Sequence, residues 1–283
     1  MLYRIDQARD IIEFLEQKGM SEEKVQTSPM PNRKLLCNKE EINSNLQTWC
    51  RSVIGGLHYF ARGVRYDIAH AISRISQTDG NPTQGTVDAL HQLAGYLRST
   101  VDFDLVGIAN PGANKLVAMC DSNHHGDADL TTLSQSGFIV CLNGVPVHWR
   151  SNRQPKTTNS PVESEVYALS VGCKDLRLMG WVLEDMGVSV DWPMRLGLDS
   201  IGAKSFKEDT CPTSKLRGCF DYREKWVRQL KEDREIVLYK VTDSENISDV
   251  FTKCMGPSSF AYRINQIRNM SGVENGTVDA LHQ

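Results

Sequence analysis

Four acids stand where a carboxylate can do chemistry: Asp121, Glu165, Asp199 and Asp249. Asp121 ends KLVAMCD (115–121), a short apolar run in which Leu116, Ala118 and Cys120 point one way and Val117, Met119 and Asp121 the other. Taken alone, an acid at a strand exit is commonly just solvated. Asp199 closes a second run, MRLGLD, where it serves equally well as the N-cap of a following short helix. If these two strands are parallel neighbours they lie about 4.8 Å apart, and two carboxylates side by side there need a cation. Asp249 falls in the first turn of a helix expected over Ile247–Cys254, where the helix dipole favours an acid whatever its use.

Glu165 separates from its neighbour Glu163 on helical geometry. Ser160-Pro161-Val162-Glu163 fits a capping box, with Ser160 as N-cap, proline in the first turn and Glu163 reaching back. Val162, Val166, Leu169, Cys173, Leu176, Gly180 and Leu183 then form one stripe. Glu163 lies about 100° off that stripe, whereas Glu165 sits at its edge. A glutamate at the rim of a buried face is costly unless it is paired or used, so Glu165 is the functional candidate of the two.

The elements that must position these acids follow from periodicity. Up to about residue 110 the chain reads as mostly helical. Ile11, Ile12 and Leu15 mark an opening helix, and residues 20 to 43 read as an extended connector. Three further helices follow, on Leu46–Phe60, Ile68–Ile75 and Val87–Leu97. From residue 115 the pattern changes to strands. Ser136–Asn143 and Val145–Arg150 form a hairpin turned at Asn143-Gly144. A long helix over Pro161–Met186 comes next, then the strand to Asp199, a helix over Cys219–Lys231, a strand over Glu235–Val241 and the helix at 247. This is an α/β order with a mixed sheet.

With 40% hydrophobic and 24% charged residues the chain can bury a core, and the net charge of −3 rules out a bulk basic signature, so any nucleic-acid contact must rest on local patches. No apolar run is long enough to span a membrane, and the charged N-terminus is not a secretory signal. None of the eight cysteines forms a CxxC pair, which points to free buried thiols inside a cell rather than a zinc site. GTVDALHQ occurs at Gly85–Gln92 and again at Gly276–Gln283; two short copies cannot make a solenoid, and the terminal copy is expected to be poorly ordered.

Residues 115–255 resemble the RNase H domain at the end of copia-type retrotransposon Pol polyproteins. The blocks that carry this are CDSNHHGD (120–127), SQSGFIVCLNGVPVHW (134–149), SNRQPKTTNSPVESEVYAL (151–169), LGLDS (196–200), SKLRGCFDYREKWVRQ (214–229) and NISDVFTK (246–253). YRIDQARDIIEFLEQKGM, RSVIGGLHYFARGVRYDIAHAISRIS and NPTQGTVDALHQLAGYLRST resemble the segment that links reverse transcriptase to RNase H in the same family. The resemblance implies an RNase H-like fold, with a five-stranded mixed sheet flanked by helices and preceded by a small helical bundle. The implied divisions are a thumb- or connection-like segment at 1–110, the RNase H-like domain at 115–256, and a C-terminal helix and tail at 257–283.

The family's metal-binding carboxylates fall on Asp121, Glu165, Asp199 and Asp249. The implied cofactor is a pair of Mg²⁺ ions, with Mn²⁺ as substitute, and the implied reaction is hydrolysis of the RNA strand of an RNA–DNA hybrid, with Asp121 bridging both ions. Arg150, Arg153, Lys156, Asn159, Lys215, Arg217, Arg223 and Lys225 are the candidates for holding substrate, although each singly reads as well as part of a solvated face. Implied partners are the hybrid and the reverse transcriptase and integrase portions of the same polyprotein, in the cytoplasm or the nucleus. Three departures stand out: His124-His125 follows the first aspartate, Ser200 stands where the family has asparagine after Asp199, and Cys219 replaces a family histidine. The paired aspartates of a polymerase palm are absent, so this chain alone is not expected to make DNA. The rival expectation is an inactive remnant that at most binds nucleic acid.

Overall fold

The computed structural model describes residues 2–108, 114–126, 131–198 and 222–270. In chain order the elements are β1 (Leu2–Asp6), α1 (Ala8–Gln17), α2 (Ser44–Gly63), α3 (Ala69–Ile75), α4 (Gln84–Ser99), β2 (Asp104–Ile108), β3 (Leu116–Asn123), β4 (Gln135–Leu142), β5 (Val145–Arg153), α5 (Pro161–Asp185), β6 (Met194–Leu198), α6 (Tyr222–Glu232), β7 (Ile236–Lys240) and α7 (Pro257–Asn269). Short 3₁₀ turns lie at Arg33–Cys37 and Ile247–Phe251, among others.

The main sheet has the order β5-β4-β3-β6-β7. β3, β4 and β5 are antiparallel neighbours, whereas β3-β6 and β6-β7 are parallel. This is the five-stranded mixed sheet expected of an RNase H-like fold. The β4–β5 hairpin turns at Asn143 and Gly144, whose φ values of 50° and 81° are the left-handed pair that a type I′ turn requires.

Alternation along the strands divides the interior into two layers. Phe138 and Val140 of β4, with Leu116, Ala118 and Cys120 of β3, pack against Val166, Leu169, Cys173 and Leu176 of α5 and against Val227 and Leu230 of α6. Ile139 and Cys141 point to the other face. There they join one continuous core with α1–α4, the 247–251 turn and α7. The sheet is thus filled on both sides, and the helical bundle supplies one of its coverings. Trp149 Nε1 fastens the two by donating to Ala61 O at 2.6 Å. Cys50, Cys120, Cys141 and Cys173 are buried, and burial pushes the Cys141 thiol up to about 12.

Three features differ from the sequence reading. The first 108 residues are not only helical, because β1 and β2 pair antiparallel from Leu2↔Ile108 to Asp6↔Asp104. The connector at 20–43 is not merely extended; it contains the turn at Arg33–Cys37 and buries Met20, Met30 and Leu36. The helix expected over Ile247–Cys254 is a 3₁₀ turn of five residues, too short for a dipole to account for Asp249. The short helix expected after Asp199 and the second GTVDALHQ copy lie outside the described residues.

Candidate active site

Asp121 lies near the end of β3 opposite Gly137 of β4 and is 7% exposed. The glycine matters here. A Cβ at Gly137 would stand 2.5 Å from Phe251 Cβ and 2.7 Å from Thr252 Cγ2. Its absence lets the 247–251 turn close onto the sheet and brings Thr252 to Asp121, where Thr252 Oγ1 donates to Asp121 Oδ2 at 2.5 Å. Asp249, on that same turn, is 8% exposed.

A cation sits between the two aspartates. Lys253 Nζ is 2.5 Å from Asp249 Oδ1 and 3.6 Å from Asp121 Oδ2. Burial by itself would lower the pKa of this ammonium, but the carboxylates of Asp121 and Asp249 outweigh it and hold the value above that of an ordinary lysine. Arg263 of α7 reaches the other oxygen of Asp249 at 3.1 Å and also donates to the carbonyls of Asp243 and Ser244.

Glu165 enters from α5. Ser160 Oγ accepts from Glu163 N at 3.1 Å, and Glu163 Oε2 accepts from Asn159 N at 2.7 Å, so Glu163 is committed to the helix start. Glu165 instead lines a small cleft with Asp121, Ser122, Ala168 and Leu198. Leu198 is the residue before Asp199, which itself lies outside the described residues. The structure therefore brings Asp121 together with Glu165 in one cleft, and Asp121 together with Asp249 on one ammonium. Among the described residues no three His, Cys, Asp or Glu side chains converge closely enough to form a metal-binding group. Thr252, Lys253 and Arg263 escaped the sequence reading; its one available clue was the i,i+4 spacing of Asp249 and Lys253.

The basic candidates divide into groups. Arg150 and Arg153 line a groove with Ser136, Asn152, Tyr167 and Ala168. Arg223 lies 4.8 Å over the ring of Tyr167, one of the residues that line that groove. Arg150 is also 3.4 Å from Asp175. Lys156, Asn159 and Lys225 are exposed, and Lys215 and Arg217 lie outside the described residues. His124 hydrogen-bonds with Thr158 Oγ1 at 3.1 Å and stacks on His125.

No protein-family model matches the chain. It is 24% identical over 257 residues to the "Retrovirus-related Pol polyprotein from transposon RE1" of Arabidopsis thaliana, an alignment that covers 90% of this chain. Over most of its length the chain is similar to Pol polyproteins of copia-type retrotransposons. It spans 17% of the length of the RE1 polyprotein. It is also 34% identical over 119 residues to "Secreted RxLR effector protein 161" of Plasmopara viticola, covering 42% of this chain and 82% of that one. Among solved structures, LC11-RNase H1 isolated from compost aligns with a TM-score of 0.38 at 17% identity, over 49% of this chain and 93% of that chain. Among the described residues, no helix is long and apolar enough to cross a membrane.

Proposed function

We propose that the cleft between β3, α5 and the 247–251 turn hydrolyses the RNA strand of RNA–DNA hybrids, as one activity of a retrotransposon Pol polyprotein. The observation that carries this reading is the lysine ammonium held jointly by Asp121 and Asp249 beside the cleft that Glu165 lines. Both carboxylates face one cationic centre, which a divalent ion would occupy with the side chains drawn closer.

The donors are all carboxylates, which suits a hard cation such as Mg²⁺, with Mn²⁺ as substitute. Asp121, Glu165 and Asp249 would hold it, with Asp199 as fourth ligand one residue beyond the cleft-lining Leu198. Two such ions, when bound, supply a nucleophile at neutral pH and neutralise charge on the leaving oxygen. The protein's part is placement. Thr252 fixes one oxygen of Asp121, and Arg263 fixes one of Asp249. Arg150, Arg153 and Arg223 present guanidinium groups along the adjoining groove, where they would meet phosphate oxygens. Lys156, Asn159, Lys215, Arg217 and Lys225 extend the same role. The partners of this activity would be the hybrid and the reverse transcriptase and integrase portions of the polyprotein.

Incubation of the purified chain with an end-labelled RNA–DNA hybrid tests this. Cleavage of the RNA strand is expected with Mg²⁺, none with EDTA, and none in Asp121→Asn, whose melting curve stays cooperative. Unaltered cleavage in that variant would place the chemistry elsewhere. Hybrid binding without cleavage in the wild type would favour the inactive remnant.

A further inference from the structure

A second groove, of about 550 Å³, runs between the helical bundle and β5, the outer strand of the sheet. His58 and Arg62 of α2 and Ser73 of α3 form one wall; His148, Arg150 and Asn152 of β5 form the other. The bond from Trp149 Nε1 to Ala61 O ties the walls together. None of its lining residues is acidic. Two carboxylates stand near it. Asp175 of α5 lies 3.4 Å from Arg150 and 3.6 Å from His148, and Asp79 acts on His58. Burial, with Arg62 close by, lowers the pKa of His58 despite Asp79, which favours the neutral imidazole, whose ring keeps one N–H donor. Arg62 is exposed and makes no hydrogen bond or ion pair among the described residues. Its guanidinium is available to an incoming anion.

This groove connects with the others. It shares Arg150 and Asn152 with the groove over β4 and β5, and that one shares Ala168 with the Asp121–Glu165 cleft. We propose that the bundle-side groove holds the phosphodiester backbone of the hybrid away from the cut, with Arg62 as a phosphate-binding residue supplied by the helical segment and His58 and Asn152 as added donors. The inference rests on the reading of the cleft as a hybrid nuclease. It makes the bundle part of the substrate path as well as a covering for the sheet.

The test is equilibrium binding of the full chain to fluorescein-labelled hybrids in EDTA, across a salt series. One hybrid is long enough to cross the sheet, and the other is confined to the cleft. Arg62→Glu is expected to weaken binding of the long hybrid on the order of tenfold and to reduce the slope of log K against log salt by about one. The short hybrid should bind as before. Arg62→Gln, which keeps the size without the charge, should show the same slope change. Wild-type affinity and slope in both variants would overturn the proposal. So would an equal loss of binding to heparin, which would mark a general polyanion patch. If Asp121→Asn abolishes cleavage while the Arg62 variants bind normally, only the groove assignment falls. If nothing cleaves with Mg²⁺ yet Arg62→Glu loses the long hybrid, the nuclease reading falls and the groove remains.

Discussion

Thr252 Oγ1 donates to Asp121 Oδ2 at 2.5 Å, joining a turn late in the chain to the strand that opens the main sheet. Both groups are buried, so the bond determines where the carboxylate points. Thr252→Val keeps the shape and removes the donor, which loosens the hold on the Asp121 carboxylate. Hybrid cleavage is expected to fall by roughly 10-fold, the cost of about 1.4 kcal/mol for losing a hydrogen bond to a charged group. Thr252→Ser should recover most of it. Steady-state rates on a labelled hybrid decide the matter, and wild-type rates in the valine variant would contradict the positioning role.

Lys253 bridges Asp121 and Asp249. Lys253→Met removes the ammonium and leaves the two carboxylates to repel each other. The metal-free protein should then melt at a lower temperature, and saturating Mg²⁺ should raise the melting temperature by more than it does in the wild type. The raised pKa of Lys253 adds a pH signature. Its contribution is fully present below the ordinary lysine value of 10.5 and is lost as pH rises through the higher folded value. Differential scanning fluorimetry with and without Mg²⁺ reads both effects. An identical Mg²⁺ shift in variant and wild type would show that the ammonium does not stand in the ion's place.

His70 gives the opposite dependence. It is 4% exposed, and its Nδ1 lies 3.3 Å from Ser151 Oγ, which in turn donates to Phe251 O at 2.6 Å. Burial, with Arg74 beside it, lowers its pKa from 6.5 to about 3. The unfolded chain therefore takes up a proton first, so this stability is present above pH 6.5 and is lost as pH falls towards 3. The slope approaches about 1.4 kcal/mol per pH unit within that window. His70→Gln should flatten it in urea titrations between pH 7 and pH 4 (roughly the range in which histidine gains charge). An unchanged slope would mean that other groups carry the acid sensitivity.

The parts of the fold legible in the sequence were those fixed by neighbouring residues. Ser160, Pro161 and Glu163 announced α5 because a cap is made within four residues, and Asn143-Gly144 announced the hairpin because only the turn's own backbone is involved. β1 and β2 were not visible. Each has five residues, their partners lie about a hundred positions apart, and Tyr3 and Ile5 are exposed, so no local alternation marks them. The choice of Glu165 over Glu163 followed from one helix alone. The contacts of Asp121 with Thr252 and Lys253 did not, because they depend on how closely the 247–251 turn approaches β4 over Gly137. That approach is a property of packing between distant segments.

The continuous core on the bundle side has a consequence for how this chain can be divided. Ile139, Cys141, Val250 and Phe251 share one core with residues that precede position 108 as well as with Phe260, Ile264 and Ile267 of α7. A cut in the linker before β3 would turn that side of the sheet into a wide oily wound, directly behind the turn that carries Asp249. Released in this way, the C-terminal piece would stick to itself before it could be assayed, so its catalytic competence must be judged with its N-terminal companion still attached.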